Sequence, residues 1–463
     1  MDDIPLKEDK INQNDLNDIE NTISKKRNIP KIILIASLIL IVVIIVIVLI
    51  IILPKDEDSS KKPRSLLEKL SSKETPFYYY DTALLNLTIE TVLNLTKQHD
   101  IKIHFSLKSN FNEKIIKIIS SHPELGADCV SGGEVNLALK YFPPERIVFA
   151  GIGKRDKEIE NAVDKGIFCI NVESFEELER LNDICNKKQK SMNFGVRINP
   201  NVGAHTHEKI LTGVNETKFG IYIDEVKDKF YSKIEEIFFK KNDKYKYLNF
   251  IGLHFHIGSQ ILNLTDYIPL CEKIDKYLEE LNERKISITY LNLGGGLGVD
   301  YDEPNKNPIA DFEGFFNTYL TNLKSLAKIG PDFNGGKNIT LHFEPGRSMI
   351  AQSGNLVSRV IYVKEGIHKN FVILDAGMND LIRPAMYGAL HQIERVEPSE
   401  EKEMYDVVGP ICESSDVFAK NYTMDKVERD DLVFIRTAGA YGESMASRYN
   451  YREIPQGYLD FEL

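Results

Sequence analysis

The stretch IKIHFSLKSNFNEK, residues 101–114, decides how the chain is folded. It begins as an apolar run, turns at SLKSN and continues with helical spacing, so it predicts a β-strand followed by a helix. The strand delivers one amine, that of Lys108, to its carboxyl end. A solvated lysine that caps a strand is the ordinary interpretation. A functional amine is the alternative, and the rest of the chain must decide between them.

Eight runs of this kind alternate with helix-like stretches such as NEKIIKIISSH, EVNLALKYF and FEELERLNDICNK. The runs are KIHFSLKSN, LGADCVSGGE, RIVFAGIGK, IFCINVES, FGVRINP, FIGLHFHIGSQ, LNLGGGLG and ITLHFEPGR. Eight units over about 250 residues predict a (β/α)8 barrel, in which active sites gather at the carboxyl ends of the strands. A doubly wound sheet is the alternative. Beyond Gly346 the strand-like runs are NLVSRVIYVKE, NFVILDAG, YDVVGPICES and DLVFIRTAGAYG. They lack long helices between them, which predicts a second, β-rich domain of the sandwich or barrel type.

Residues 32–53 are almost pure Ile, Leu and Val, long enough to cross a bilayer as a helix, so the sequence predicts an N-terminal membrane anchor. A buried core helix or a secretory signal is the alternative. The predicted organisation has a polar tail (1–30), a transmembrane helix (31–53), a linker (54–74), a barrel (75–348) and a C-terminal β domain (349–463). Six N-x-[ST] sites lie partly beside barrel segments, which favours a cytosolic catalytic part.

The net charge of -11 and the absence of a basic cluster argue against nucleic acid as a partner. The five cysteines are scattered without C-x-x-C spacing, so neither a zinc ribbon nor a disulfide scaffold is predicted.

Several motifs bring chemically useful groups to the ends of the predicted strands. Gly294, Gly295 and Gly296 follow one strand and suit a phosphate cradle, although a tight turn explains them equally well. His254 and His256 share a face of the strand before, either as a metal pair or with one ring stacked on a flat cofactor.

The last predicted barrel strand ends in HFEPGRS, which places Glu344 at the strand end and Arg347 after a turn at Gly346. A carboxylate there suits a general base, a metal ligand or the partner of a cationic ring nitrogen, and a surface ion pair is the ordinary alternative. The β-rich part adds further candidates, each more often structural than catalytic when taken singly: Arg383, Tyr387, Cys412, Glu413 and Tyr441.

Together these groups suit one cofactor. A lysine amine, a glycine-lined phosphate cradle, a stacking imidazole and a carboxylate opposite a ring nitrogen are what a protein needs to hold pyridoxal 5'-phosphate. No metal site is predicted.

The motifs also resemble a known family, the pyridoxal phosphate-dependent decarboxylases with an alanine-racemase-like barrel, and among them the diaminopimelate decarboxylases. The resemblance covers about residues 75–455. Its motifs, in chain order, are FSLKSN, GADCVSGGE, FAGIGK, NVES, RINPNVGAHTH, TKFGI, HFHIGSQ, LGGGLG, EPGRS, DAGMNDLIRPAMYGA, GPICESSD and GAYGESMASRYN. The first differs from the more usual YAVKAN, but small residues are kept on both sides.

The resemblance implies a role for each candidate. Lys108 would bind the cofactor covalently, His256 would stack on its ring and Glu344 would pair with the ring nitrogen. The other cofactor contacts would come from Ser259, Gly294, Gly295, Gly296, Gly346, Arg347 and Tyr441. Substrate contacts would come from Arg347, Arg383, Tyr387, Glu413 and Tyr441.

In the same family Cys412 would be the proton donor, supplied by the partner subunit, so a homodimer with shared sites is implied. The reaction expected from the resemblance is decarboxylation of meso-2,6-diaminoheptanedioate to L-lysine, the last step of lysine biosynthesis by that route.

Three alternatives stay open. An ornithine, arginine or carboxynorspermidine decarboxylase would share the fold and cofactor. A metal-dependent barrel hydrolase would use His254 and His256, with His205 and His207 as further ligands. An inactive regulatory homologue would be expected to lack the lysine or the cysteine, and both are present.

Overall fold

All eight strand-like runs form strands, and these close into one parallel barrel, as the sequence predicts. The computed structural model describes residues 65–203, 212–213, 217–240, 243–328 and 333–463. Strand β1 (Phe77–Tyr80) precedes the barrel, whose strands are β2 (Ile101–Ser106), β3 (Leu125–Cys129), β4 (Ile147–Phe149), β5 (Cys169–Val172), β6 (Met192–Arg197), β7 (Leu248–His254), β8 (Tyr290–Asn292) and β9 (Thr340–Phe343). Each pairs with its sequence neighbour, and β2 also pairs with β9 through Ile103 and Phe343.

The barrel strands are apolar because they are covered on both faces. Every residue of β3, β4 and β5 is buried, which is why these strands show continuous apolar runs rather than alternation. The helices are α1 (Leu66–Ser71), α2 (Thr82–Thr96), α3 (Glu113–Ser120), α4 (Gly132–Ala138), α5 (Asp156–Lys165), α6 (Phe175–Lys188), α7 (Ile223–Phe238), α8 (Ile268–Glu283), α9 (Phe312–Asn322), α10 (Arg347–Ile350) and α11 (Arg383–Tyr387).

Short strand-to-helix turns are held by serine caps. Ser131 accepts a hydrogen bond from Glu134 N at the start of α4, and Ser174 accepts one from Glu177 N at the start of α6. Such caps satisfy amide groups that the first helical turn leaves free, so each helix can begin directly after its strand.

A second sheet of eight strands lies in the same compact unit, residues 66–463. Besides β1 it contains β10 (Gly354–Lys364), β11 (Asn370–Leu374), β12 (Ile393–Arg395), β13 (Lys402–Val408), β14 (Val417–Asp425), β15 (Leu432–Ile435) and β16 (Gln456–Leu459). Strand β1 runs antiparallel to β10 and parallel to β16. The run TPFYYY thus contributes its strand to the β-rich sheet.

The prediction of a membrane anchor is wrong for the part of the chain that the structure describes. No helix there is long and apolar enough to cross a membrane. A crossing helix needs about 20 apolar residues, whereas α7 and α8 have 16 residues each and alternate buried with exposed positions. The segment 31–53, together with the tail 1–30 and residues 54–64 of the predicted linker, lies outside the described residues. The predictions of a membrane as a partner and of a membrane-anchored location are wrong for the same reason.

Candidate active site

Lys108 lies just past the end of β2, in a tight turn formed by residues 107–109. The Ser109 hydroxyl donates to the carbonyl of Ser106 at 2.8 Å, and Asn110 N donates to the carbonyl of Leu107 at 3.0 Å. These bonds turn the chain directly after β2 and place Lys108 at the barrel mouth. The two serines that distinguish FSLKSN from YAVKAN are both used, because the Ser106 hydroxyl donates to Asp128 at 2.6 Å.

The Lys108 amine is surrounded by acidic groups. Burial opposes its charge, but Asp128, Tyr441 and Glu344 outweigh burial and raise the pKa of Lys108 above its ordinary value. Asp128 is fully buried at the end of β3, with one carboxylate oxygen that has no hydrogen-bond partner among the described residues. Burial and the charge of Glu344 raise the pKa of Asp128 to about 8. Without a cofactor, then, the lysine is a protonated amine facing a carboxyl group.

Glu344 forms the acidic floor of the barrel mouth. Its Oε1 accepts a 2.6 Å hydrogen bond from Asn292 Nδ2, and its Oε2 lies 3.1 Å from His254 Nε2. Burial opposes ionisation, yet His254 and Lys108 hold the pKa of Glu344 well below its usual range. The result is a buried carboxylate fixed in orientation by two neighbouring strands.

The two histidines of HFHIGSQ have different surroundings. Strand β7 ends at His254, which is buried and contacts Glu344, whereas His256 lies two residues beyond and lines the cavity described below. His256 Nδ1 accepts a 3.2 Å hydrogen bond from Gly295 N, and burial together with the charges of Lys108 and Arg197 lowers the pKa of His256 well below its ordinary value. His256 is therefore a neutral ring at this site.

The three glycines are required by close packing. A Cβ at Gly294 would lie 2.3 Å from the carbonyl oxygen of Phe255, and one at Gly295 would lie 2.3 Å from that of Glu344. Gly294 and Gly296 also have positive φ values of 68° and 107°, a region that glycine enters without strain. The loop thus lies directly against the backbone that carries His256 and Glu344. Gly346 packs in the same way against Ser106 and Ser109.

A cavity of about 460 Å³ lies beside these groups, and of them Lys108 and His256 line it. It is lined by Lys108, Thr212, His256, Ser259, Gln260, Tyr301, Arg347, Arg383, Tyr387, Ala389, Leu390 and Tyr441. Seven of these twelve are residues that the sequence singles out as candidates, drawn from both the barrel and the β-rich part. The structure therefore brings these candidates to one place.

Both candidate arginines are buried at this cavity, Arg347 being 6% exposed and Arg383 5% exposed. Arg347 donates to the hydroxyls of Tyr301 at 2.7 Å and Ser259 at 3.0 Å, and its Nε has no partner among the described residues. No carboxylate in the described part of the chain forms an ion pair with either guanidinium. Two buried cations without a counter-charge are costly, so the cavity suits an anionic ligand.

Tyr441 connects the β-rich part to the lysine turn. Its amide donates to the carbonyl of Ser109 at 2.8 Å, and the Arg347 guanidinium lies 4.9 Å from its ring centroid. Its φ of 56° is unusual for a residue with a side chain. The hydrogen bond to the lysine turn holds this backbone, so the Tyr441 ring is fixed in position relative to that turn.

The structure does not bring Cys412 and Glu413 to this cavity. Cys412 is exposed, and its amide donates to Asn450 at 3.3 Å. Glu413 accepts a hydrogen bond from the Tyr449 hydroxyl. Neither residue is among those that line the cavity of the same subunit.

Sequence reasoning assigned no role to several residues of this site. Asp128 lies within the motif GADCVSGGE, at the carboxyl end of a predicted strand, and this position is the sequence feature that could have identified it as a site residue. Tyr301 lies on the loop after β8, and His391 follows α11; their sequence surroundings contain no periodicity that would mark them.

The residues present fit pyridoxal 5'-phosphate. The donor set offers an amine, a neutral ring for stacking, an ionised carboxylate at the floor and, in Arg347, a buried guanidinium Nε without a partner. These match an aldehyde, a flat ring, a basic ring nitrogen and a phosphate. The described residues contain no group of three or more His, Cys, Asp or Glu side chains able to hold a metal ion, and His205 and His207 of the hydrolase alternative lie outside them.

Comparison with known proteins gives the class. Residues 87–351 match the family "Pyridoxal-dependent decarboxylase, pyridoxal binding domain", so fold, site and family match together define a pyridoxal-dependent barrel decarboxylase. A diaminopimelate decarboxylase of Bacteroides thetaiotaomicron is 47% identical over 399 residues, 86% of this chain and 98% of the relative. The crystal structure of the Helicobacter pylori diaminopimelate decarboxylase complexed with L-lysine is 38% identical, with a TM-score of 0.76 over 85% of this chain and 94% of that one.

A third likeness is the diaminopimelate decarboxylase of M. jannaschii in co-complex with L-lysine, 33% identical with a TM-score of 0.77 over 85% of this chain and 88% of that one. The chain belongs to the diaminopimelate decarboxylase family. The predictions of family, of enzyme class and of pyridoxal 5'-phosphate as cofactor are confirmed by these matches.

Proposed function

We propose that this chain decarboxylates meso-2,6-diaminoheptanedioate to L-lysine and carbon dioxide. The single observation that carries the proposal is the cavity in which the Lys108 amine faces the same space as two buried arginines that form no ion pair with a carboxylate among the described residues. A substrate with an amino acid group at each end can react at one end near Lys108 while the arginines bind the carboxylate of the other end. The names of the relatives agree with this substrate.

The cofactor, when bound, supplies an electron sink for the bond that breaks. Lys108 would hold it covalently, with the raised pKa of the amine reflecting the acidic groups around it. Glu344 would keep its ring nitrogen protonated, because the carboxylate stays ionised in a buried position. His256 would cover one face as a neutral ring, since a charged ring would oppose a protonated cofactor.

The phosphate would lie among Ser259, the glycine loop and Arg347. Gly294, Gly295 and Gly296 supply backbone without side chains, and Gly346 lets the turn approach Ser109. Tyr441, on a backbone tied to the lysine turn, would contact both cofactor and substrate.

Arg347, Arg383 and Tyr387 would bind the carboxylate of the substrate's unreactive end. A guanidinium matches a carboxylate with two parallel hydrogen bonds. Because both cations are buried, a carboxylate there offsets part of the cost of burying them. An ornithine-type substrate has no such carboxylate, which is why the alternative activity is disfavoured.

The proton that replaces carbon dioxide would come from Cys412 of the partner subunit, and Glu413 of the partner subunit would receive the substrate's far ammonium group. In one subunit these two side chains are exposed and lie away from the cavity. A homodimer that places the loop of one subunit at the cavity of the other would complete the site. This proposal rests on the family resemblance and on the exposure of the loop.

The test uses the purified full chain supplied with pyridoxal 5'-phosphate. We expect visible absorbance from the bound cofactor and release of carbon dioxide from meso-diaminopimelate, with much lower rates on ornithine and arginine. Borohydride reduction followed by peptide mapping should find the cofactor on Lys108, and Lys108→Ala should abolish both label and activity. Turnover of ornithine without turnover of diaminopimelate would overturn the proposed substrate.

A further inference from the structure

One tyrosine contacts both arginines of the cavity in different ways. The Tyr301 hydroxyl accepts a 2.7 Å hydrogen bond from Arg347 Nη1. The guanidinium carbon of Arg383 lies 4.6 Å from the centroid of the Tyr301 ring, within the range of a cation–π contact. Each end of this side chain therefore holds one cation, and the distance between the two cations depends on Tyr301.

His391 fixes the second arginine from another direction. Its Nε2 lies 2.7 Å from Arg383 Nη1, and its Nδ1 lies 2.8 Å from the carbonyl oxygen of Arg436. Only a neutral ring protonated at Nδ1 satisfies both contacts, because Nε2 must accept and Nδ1 must donate. Burial and the charge of Arg383 agree with this state, since they lower the pKa of His391 to about 3.

The two positioning side chains also contact each other. The rings of Tyr301 and His391 lie 5.1 Å apart at 78°, an edge-to-face arrangement. His391 is 4% exposed, and Tyr301 is half-buried. Like-charged groups that are buried side by side repel each other. Arg347 and Arg383 are thus kept at the cavity by neutral partners that leave their charge available.

We propose that Tyr301 and His391 are positioning residues that set the spacing of the Arg347 and Arg383 guanidinium groups, and that they thereby determine selectivity for substrates whose unreactive end carries a carboxylate. The inference rests on the proposed function, because it concerns the same cavity. Tyr301 and His391 act through the two arginines and do not contact the reacting atoms. It predicts that their loss weakens recognition of the carboxylate more than it slows the reaction.

The experiment compares Tyr301→Phe and His391→Leu with the wild-type holoenzyme. The phenylalanine keeps the ring under Arg383 and removes the hydrogen bond to Arg347, whereas the leucine removes the acceptor for Arg383. Each loses a hydrogen bond to a charged group, so we expect the KM for meso-diaminopimelate to rise about tenfold or more, with kcat changed by less than about threefold. His391→Gln can accept from Arg383 and donate to Arg436, so it should restore part of the loss.

Two inhibitors separate a selective effect from a structural one. L-lysine keeps the carboxylate of the unreactive end, and cadaverine lacks every carboxylate. We expect the inhibition constant of L-lysine to rise about tenfold in Tyr301→Phe and His391→Leu and that of cadaverine to stay the same. Tyr405→Phe, which removes a hydroxyl hydrogen-bonded to Glu403 in the second sheet, is the matched control and should change neither.

The inference is overturned if both inhibitors weaken equally, if kcat and cofactor absorbance fall while KM does not change, or if the variants match the wild type. Failure of the proposed function gives a different result, because the wild-type enzyme itself would then not decarboxylate diaminopimelate.

Discussion

Asn292 donates a 2.6 Å hydrogen bond to the Glu344 carboxylate from the neighbouring barrel strand. Its side-chain oxygen in turn accepts a 2.8 Å hydrogen bond from Gly294 N. One amide therefore fixes both the acidic floor of the site and the start of the glycine loop. Because Glu344 N also donates to the carbonyl of Gly294 at 2.8 Å, carboxylate and loop move together.

The first prediction concerns the charge of this floor. Glu344→Gln keeps the shape of the side chain and removes its negative charge, so the ring nitrogen of the bound cofactor loses its counter-ion. We expect kcat to fall by about 100-fold or more, the range seen when a preorganised electrostatic contact is removed, while visible cofactor absorbance is retained. Steady-state release of carbon dioxide measures kcat, and the visible spectrum measures the retained cofactor. A kcat within about threefold of wild type would show that the carboxylate does not act on the ring.

The second prediction concerns the glycine loop. Gly295→Ala would place a methyl group 2.3 Å from the carbonyl oxygen of Glu344, so loop and strand must separate. We expect a loss of about 1–3 kcal/mol in the free energy of unfolding, together with weaker cofactor binding. Gly153→Ala is the matched control, because its added methyl group meets nothing within 4 Å. Equal stability of the two variants in denaturant titrations would contradict the prediction.

The third prediction concerns Asp128 and pH. Its pKa of about 8 in the folded protein lies above the ordinary value of 3.8, so the folded state binds this proton more tightly than the unfolded state. The stability that the neutral acid contributes is full below the ordinary pKa and is lost as the pH rises through about 8. Asp128→Asn cannot ionise. In the cofactor-free protein, the melting temperature of Asp128→Asn should therefore rise relative to that of wild type as the pH increases from about 5 to about 9.

A surface variant provides the comparison for this pH series. The control variant is Asp183→Asn, because the Asp183 side chain is 65% exposed. The difference in melting temperature between this variant and wild type should stay nearly constant over the same pH range. A constant difference for Asp128→Asn as well would mean that Asp128 is already ionised in the folded protein at the lower pH.

The barrel could be predicted from sequence because its strands are buried on both faces and end in polar or glycine residues. The same reasoning missed β12, β14 and β16. Strand β12 has only three residues, and in β14 only three of nine residues are buried, with the exposed Lys420 and Asn421 side by side in the middle of the strand. Strand β12 pairs with β15 and β16 pairs with β1, partners distant in sequence, which periodicity within one segment does not reveal.

The candidate site could be predicted where a residue follows an apolar strand, as Lys108 and Glu344 do. Tyr301 and His391 lie in irregular segments, and only the fold shows that both contact the same arginine. The apolar run at residues 32–53 illustrates the opposite error, since hydropathy alone supported a span that no helix among the described residues provides.

The last prediction concerns the shared site. If Cys412 of the partner subunit serves the cavity that contains Lys108, two inactive variants should complement each other. In mixed dimers of Lys108→Ala and Cys412→Ala, one of the two cavities combines an intact lysine with an intact cysteine. Random exchange makes half of the dimers mixed, so about a quarter of wild-type activity should return. If both residues served a cavity of the same subunit, every cavity would lack one of them and mixing would restore nothing. Subunit exchange followed by a carbon dioxide release assay distinguishes the two, with each variant remixed alone as its own control.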